Sequence, residues 1–91
     1  MNIYYLTILT KDNYVITLMT RNEQDFQEYS ECTHGFTVNA FFKGGNKYDR
    51  TGVLCAPGDA DARHLSGIVL DITQLTQDDD GVLTIEPINN D

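Results

Sequence analysis

Apolar and polar positions alternate with a period of two over residues 2–10, "NIYYLTILT", and again over 13–20, "NYVITLMT". Both stretches are rich in β-branched and aromatic residues, as half-buried strands are. Only "KDN" lies between them, which predicts an antiparallel hairpin. In the first strand Tyr4, Leu6 and Ile8 share one face, while Ile3, Tyr5 and Leu9 share the other. Because both faces are apolar, this strand is expected to be central or covered on both sides.

The period changes at "TRNEQDFQEYSECTHG". Thr20 with Glu23 forms a capping box, and Asn22 with Asp25 is a competing start. Glu23 and Asp25 suit the positive end of a helix dipole. Phe26, Tyr29 and Cys32 or Thr33 fall along one stripe, and Gly35 stands where the left-handed residue after a helix stands. The pattern predicts a helix over about 21–33.

Strand character returns at 36–42, "FTVNAFF". "KGGN" is a turn suited to positive φ, and 47–55, "KYDRTGVLC", is its partner strand. Pro57 and Gly58 break the loop 56–63. Residues 66–75 read as a buried strand, Asp80–Gly81 as a turn, and 82–88 as the strand closing a second hairpin. The last three residues, "NND", are expected to fray. The order β-β-α-β-β-β-β lacks the repeated βαβ units of a parallel sheet. The expected fold class is α+β: an antiparallel sheet of about five to six strands packed on one helix, in a single domain spanning 1–91.

Composition agrees with a folded chain: 41% of the 91 residues are hydrophobic, with five Tyr and four Phe. Charge changes the picture more. The net charge is −8, and it is unevenly placed. Residues 1–58 carry six acids against five bases, whereas 59–91 carry eight acids against the single base Arg63. Such a balance repels phosphates and argues against direct nucleic-acid binding. No stretch approaches the ~20 apolar residues of a membrane span, so no membrane association is expected. The first residues lack the basic leader of a signal peptide, which makes a cytoplasmic location the expectation and free thiols the expected state of Cys32 and Cys55.

Cys32, His34, Cys55 and His64 are the zinc-type ligands of the chain, but the intervals between them contain one, twenty and eight residues. Structural zinc sites pair their ligands in tight knuckles, so this set fits poorly and no cofactor is expected. Nor does either cysteine suit nucleophilic catalysis. Cys32 follows Glu28 and Glu31 near the end of the expected helix, and Cys55 precedes Asp59 and Asp61; each setting disfavours a thiolate. "DDDG" at 78–81 and "GDADARH" at 58–64 lack calcium-loop spacing. "KGGNK" at 43–47 lacks the pattern of a phosphate loop; Lys43, Lys47 and Arg50 make the one basic cluster.

What remains is the acidic surface. Asp71, Asp78, Asp79, Asp80 and Glu86 fall on the second hairpin, and Glu28 and Glu31 on the helix. Carboxylates on a rigid surface can imitate a phosphate backbone and enter a basic groove; the competing reading of these same acids is that they keep a small β-rich protein soluble and blunt its sheet edges. The expected function is a small non-enzymatic interaction protein, an inhibitor or modulator that blocks a basic nucleic-acid-binding surface on a larger partner. Tyr29 and the tyrosines of the first strands are the expected anchors. Small inhibitors made by phages and mobile elements, including anti-CRISPR proteins, share this compositional profile. The alternatives are an accessory subunit working through sheet-edge pairing or homodimerisation, and a small zinc protein using the Cys/His set.

Overall fold

The computed structural model describes residues 2–32, 34–45 and 50–87. The expected fraying of 89–91 and the first residues of the strand expected from 47 lie outside them. Six strands follow in chain order: β1 (Asn2–Thr10), β2 (Val15–Thr20), β3 (Thr37–Lys43), β4 (Thr51–Leu54), β5 (Arg63–Gln77) and β6 (Leu83–Pro87). The single helix, α1 (Glu23–Phe26), runs into a 3-10 turn at Gln27–Tyr29 between β2 and β3.

The strand count and order match the expectation, but the sheet is not a flat antiparallel layer. Its order is β1-β2-β4-β3-β5-β6, and β1 also pairs with β5, which closes the first five strands into a barrel. The sheet is mixed, because β2 and β4 run parallel, with Leu18 opposite Gly52. Closure leaves the helix no open face to cover, so it packs at one end of the barrel.

The period-two pattern of β1 has a direct consequence here. Tyr4, Leu6 and Ile8 point inward and are buried, and Leu18, Val38, Ala40, Leu54, Val69 and Ile72 meet them from the other strands. Ile3, Tyr5 and Leu9 line the outer wall and stay half-buried. The strand is therefore central, as expected, but covered on its inner side more fully than on its outer one. β5 serves as the closing strand. At fifteen residues it is long enough to pair with β1 from Gly67 to Thr76, with β3 through Arg63–Ile68, and with β6 through Thr73–Gln77. A register shift between Thr7 and Ile8 makes room for an extra β5 residue, which bends the strand as barrel closure requires.

The helix is shorter than expected. Asn22, not Thr20, caps it: the Asn22 side chain accepts the Gln24 N–H at 2.9 Å, while the Thr20 hydroxyl accepts the Asn22 N–H at 3.0 Å. Phe26, Tyr29 and Cys32 are spaced by three, the period of a 3-10 helix, so the apolar stripe does not need an α-helix to stay on one face. Phe26 and Tyr29 are buried, and Cys32 packs against the core. The Phe26 ring stacks on Tyr4 at 4.8 Å. Thr20, where β2 stops, lies opposite Tyr4. The segment thus plugs the end of the barrel at which β1 begins and β2 finishes. Gly35 does have positive φ, 94°, but it sits in the turn leading to β3 and donates its N–H to Val69, so it is not a helix cap.

Candidate functional site

The β5–β6 hairpin leaves the barrel as an arm. Over Arg63–Ile68 one edge of β5 is occupied by β3, and over Thr73–Gln77 the same edge is occupied by β6. Among the described residues no strand pairs with the far side of β6, which leaves that whole edge open. The arm turns through Asp78–Gly81. Asp78 organises this turn: its carboxylate accepts the N–H groups of Asp80 at 3.0 Å and Val82 at 2.9 Å. Gly81, at φ 81°, donates its N–H to the Asp78 carbonyl. The turn is therefore built by Asp78 together with Gly81, and Asp79 and Asp80 are carried on a fixed, exposed tip.

The tip lies beyond Asn2, which pairs with Thr76, and so it projects past the same barrel end that the helical segment plugs. Glu23, Glu28 and Glu31 are exposed on that segment, with Asp25 half-buried among them. The fold thus brings the helical acids and Asp78, Asp79 and Asp80 to one end of the molecule. It does not bring Asp71 there. Asp71 stands on the outer wall opposite Thr7 and accepts the Thr73 hydroxyl at 2.6 Å. Glu86 lies in β6 opposite Gln74. Among the described residues the ion pair is Lys43–Asp59 at 3.1 Å, on the surface, and none involves the tip. Hydrogen bonding to Asp59 raises the Lys43 pKa. Of the expected basic cluster, Lys43 is thus engaged by Asp59, Arg50 lies over the Tyr14 ring, and Lys47 is outside the described residues.

Tyr29 departs from its expected role. It is 5% exposed and belongs to the core, so its ring has no face to offer a partner. Burial pushes its phenol pKa up, partly offset by a hydrogen bond to the Phe41 backbone. Tyr14 is exposed, as are Val15, Phe36, Val53 and Ile68, but the most exposed apolar groups are on the arm, where Val82, Leu83 and Ile85 are 57%, 56% and 69% exposed. Cross-strand register sets Ile85 beside Leu75, and Leu75 beside Ile3, as one apolar row. "VLTIEP" carries part of the signal for this, since Leu83 and Ile85 share a face.

The Cys/His set is dispersed. Cys55 is buried at the end of β4, His34 is exposed in the turn before β3, and His64 lies on the outer wall against the Phe41 ring. Among the described residues no three His, Cys, Asp or Glu side chains group so as to hold a metal. Burial raises both thiol pKa values, helped by Glu31 at Cys32 and by Asp59 at Cys55. Both thiols should therefore alkylate more slowly than free cysteine at pH 8, and Cys55 the more slowly by about tenfold, because it reacts only through local opening. Mass spectrometry of timed iodoacetamide reactions measures this, and equal rates would contradict the burial of Cys55.

One constellation is invisible in the sequence. Asn39, His64 and Ser66 meet on the outer wall, where Asn39 Oδ1 accepts the Ser66 hydroxyl at 2.6 Å and lies 3.2 Å from His64 Nε2. A serine nucleophile needs its proton taken by the imidazole. Here the serine donates to the amide instead, so the trio ties β3 to β5 and does not activate Ser66. No helix among the described residues is long and apolar enough to cross a membrane. Compared with known proteins, the chain matches no family model, no curated protein and no solved structure.

Proposed function

We propose that this chain is a small non-enzymatic interaction protein that occludes a basic nucleic-acid-binding surface on a larger partner, in the manner of inhibitors carried by phages and mobile elements, such as anti-CRISPR proteins. The observation that carries the reading is the fixed acidic tip. Asp78 uses its carboxylate on the turn, while Asp79 and Asp80 are exposed, in no ion pair among the described residues, and at the same barrel end as the helical acids. Carboxylates held in this way lose little conformational freedom on docking. Their field steers a basic surface toward the arm, speeds association, and weakens with salt. Leu83 and Ile85 supply the apolar contact expected of tyrosine anchors.

The test uses the chain immobilised for capture from a lysate of its own host, followed by competition between the chain and labelled duplex for the captured protein. Wild type should displace the duplex. The variant D79K/D80K, which keeps the Asp78 turn, should do so about tenfold or more weakly at low salt, with the gap narrowing as salt rises. Capture of no nucleic-acid-binding protein, or equal competition by the variant at low salt, would remove the reading.

A further inference from the structure

We infer that the open edge of β6 receives an extended basic segment of the partner as an added strand, an inference that rests on the acidic-surface reading above. The hydrogen-bonding groups of the edge follow from the turn. Asp78 donates its N–H to the Val82 carbonyl at 3.1 Å, which makes these two residues a bonded pair. Bonded and non-bonded pairs alternate along an antiparallel ladder. With Thr84 opposite Thr76 and Glu86 opposite Gln74, the backbones of Thr84 and Glu86 face β5. Those of Leu83 and Ile85 therefore turn their N–H and C=O groups to the open side. Pro87 follows in the outward-facing series, at the one place where a missing N–H leaves the β5 ladder intact.

This edge is only partly defended, by Glu86 and Pro87 at the end of a five-residue strand. Natural sheets blunt open edges with charges, prolines or short strands. Here Leu83, Thr84 and Ile85 carry no charge, and Leu83 and Ile85 are largely exposed. The other strands each have a partner on both sides, although β3 meets β4 only at Phe42 and Lys43, so among the described residues β6 is the strand left unpaired along a whole edge. Charge selects the occupant. Asp78, Asp79 and Asp80 stand directly before β6, in a chain of net charge −8. An incoming strand rich in Lys or Arg gains from that field as it pairs, whereas a second copy of the chain brings a further excess of acid. The geometry points to β-strand addition, with main-chain bonds holding the segment and its basic side chains meeting the tip.

The probe is a synthetic peptide alternating Lys with Val. Its control is an analogue N-methylated at consecutive residues, which keeps the charge and loses the strand donors. Wild type should bind the first at least tenfold more tightly than the second. In the free chain the Leu83 and Ile85 amides should exchange with solvent faster than that of Thr84, and the peptide should protect both. Ile85→Pro should reduce binding of the first peptide to the level of the analogue. D78N/D79N/D80N should weaken both peptides alike. If both peptides bind wild type equally and the two amides stay exposed while the aspartate variant still weakens binding, strand addition is overturned and the acidic surface stands. If the aspartate variant changes nothing, the acidic-surface reading falls, and with it the basic chemistry assigned to the occupant. Protection of Leu83 and Ile85 in a dimer of the chain alone, seen by sedimentation and lost in Ile85→Pro, would assign the edge to a second copy and overturn the inference. The exchange measurement needs only wild type, so it decides the matter even where Ile85→Pro fails to fold.

Discussion

Phe26→Ala is expected to destabilise the fold by about 3–5 kcal/mol, the range for truncating a buried aromatic ring. The ring is 1% exposed and stacks on Tyr4, so its loss opens a cavity at the plugged end of the barrel. A chain of 91 residues has roughly 5–14 kcal/mol in total, at about 0.05–0.15 kcal/mol per residue. The variant therefore loses a large share of its stability. At about 4–8 °C per kcal/mol for a domain of this size, its thermal midpoint should fall by roughly 12 °C or more. A second consequence separates the plug from ordinary packing. A four-residue helix cannot persist by its own propensity, since nucleation alone is unfavourable. It exists because Phe26 and Tyr29 pin it. In Phe26→Ala the segment should open before the barrel does, seen as rapid amide exchange at Asp25 and Ser30 while Leu6 and Leu18 stay protected. Glu23, Glu28 and Glu31 would then lose their fixed place beside the hairpin tip. A loss below about 1 kcal/mol in urea unfolding would mean that the segment is an appendage and not a plug.

The same residues show what was legible in the chain. The inward set Tyr4, Leu6 and Ile8, the Phe26–Tyr29–Cys32 stripe and both hairpins follow from local periodicity and turn residues, because each depends on neighbours in sequence. Closure depends on something else. β1 meets β5 across more than half of the chain, Leu6 against Ile72, and β2 meets β4 in parallel. Period two fixes which face a side chain takes but not which strand lies beside it. The helix is shorter than its pattern predicts because spacing by three suits a 3-10 turn as well as an α-helix. β5 was underread at its start because Arg63, His64 and Ser66 are polar; on the outer wall of a barrel they have solvent to face. For the candidate site, charge counting located the acidic hairpin and the acidic helix. That both reach the same barrel end needed the β1–β2 and β1–β5 registers. The exposure of Leu83 and Ile85 was hidden for a related reason. An alternating strand is expected to bury one face, and only the topology shows that none of the described strands covers this one.

Gly67→Ala should cost about 3 kcal/mol, at the upper end of the range for overpacking, although it adds a single methyl group. Gly67 lies in β5 opposite Thr10 of β1 and Val38 of β3. A Cβ built there would stand 2.3 Å from the Leu9 carbonyl oxygen and 2.4 Å from the Ile8 Cγ2. The first of these is backbone in a strand paired on both sides, so it cannot rotate away as a side-chain end can. Relief requires β5 to lift off β1, which opens the contact that closes the barrel. Glycine in a strand marks such a close approach. Gly58→Ala is the matched control, because a Cβ at Gly58 meets nothing within 4 Å; it should change stability by less than about 0.5 kcal/mol. Urea unfolding of the two variants compares them directly. Amide exchange at Leu9 and Val69, near the strained contact, should rise in Gly67→Ala and not in Gly58→Ala. Equal stability of the two variants would show that β5 can stand away from β1 at no cost, and the barrel would then be held by the remaining pairings, without close approach at Gly67. A loosened β5 also carries β6 with it, since Thr73–Thr76 pairs with β1 on one side and with β6 on the other. Gly67→Ala should therefore blur the exchange contrast between Thr84 and its neighbours Leu83 and Ile85, which ties the geometry of the arm to the closure of the barrel.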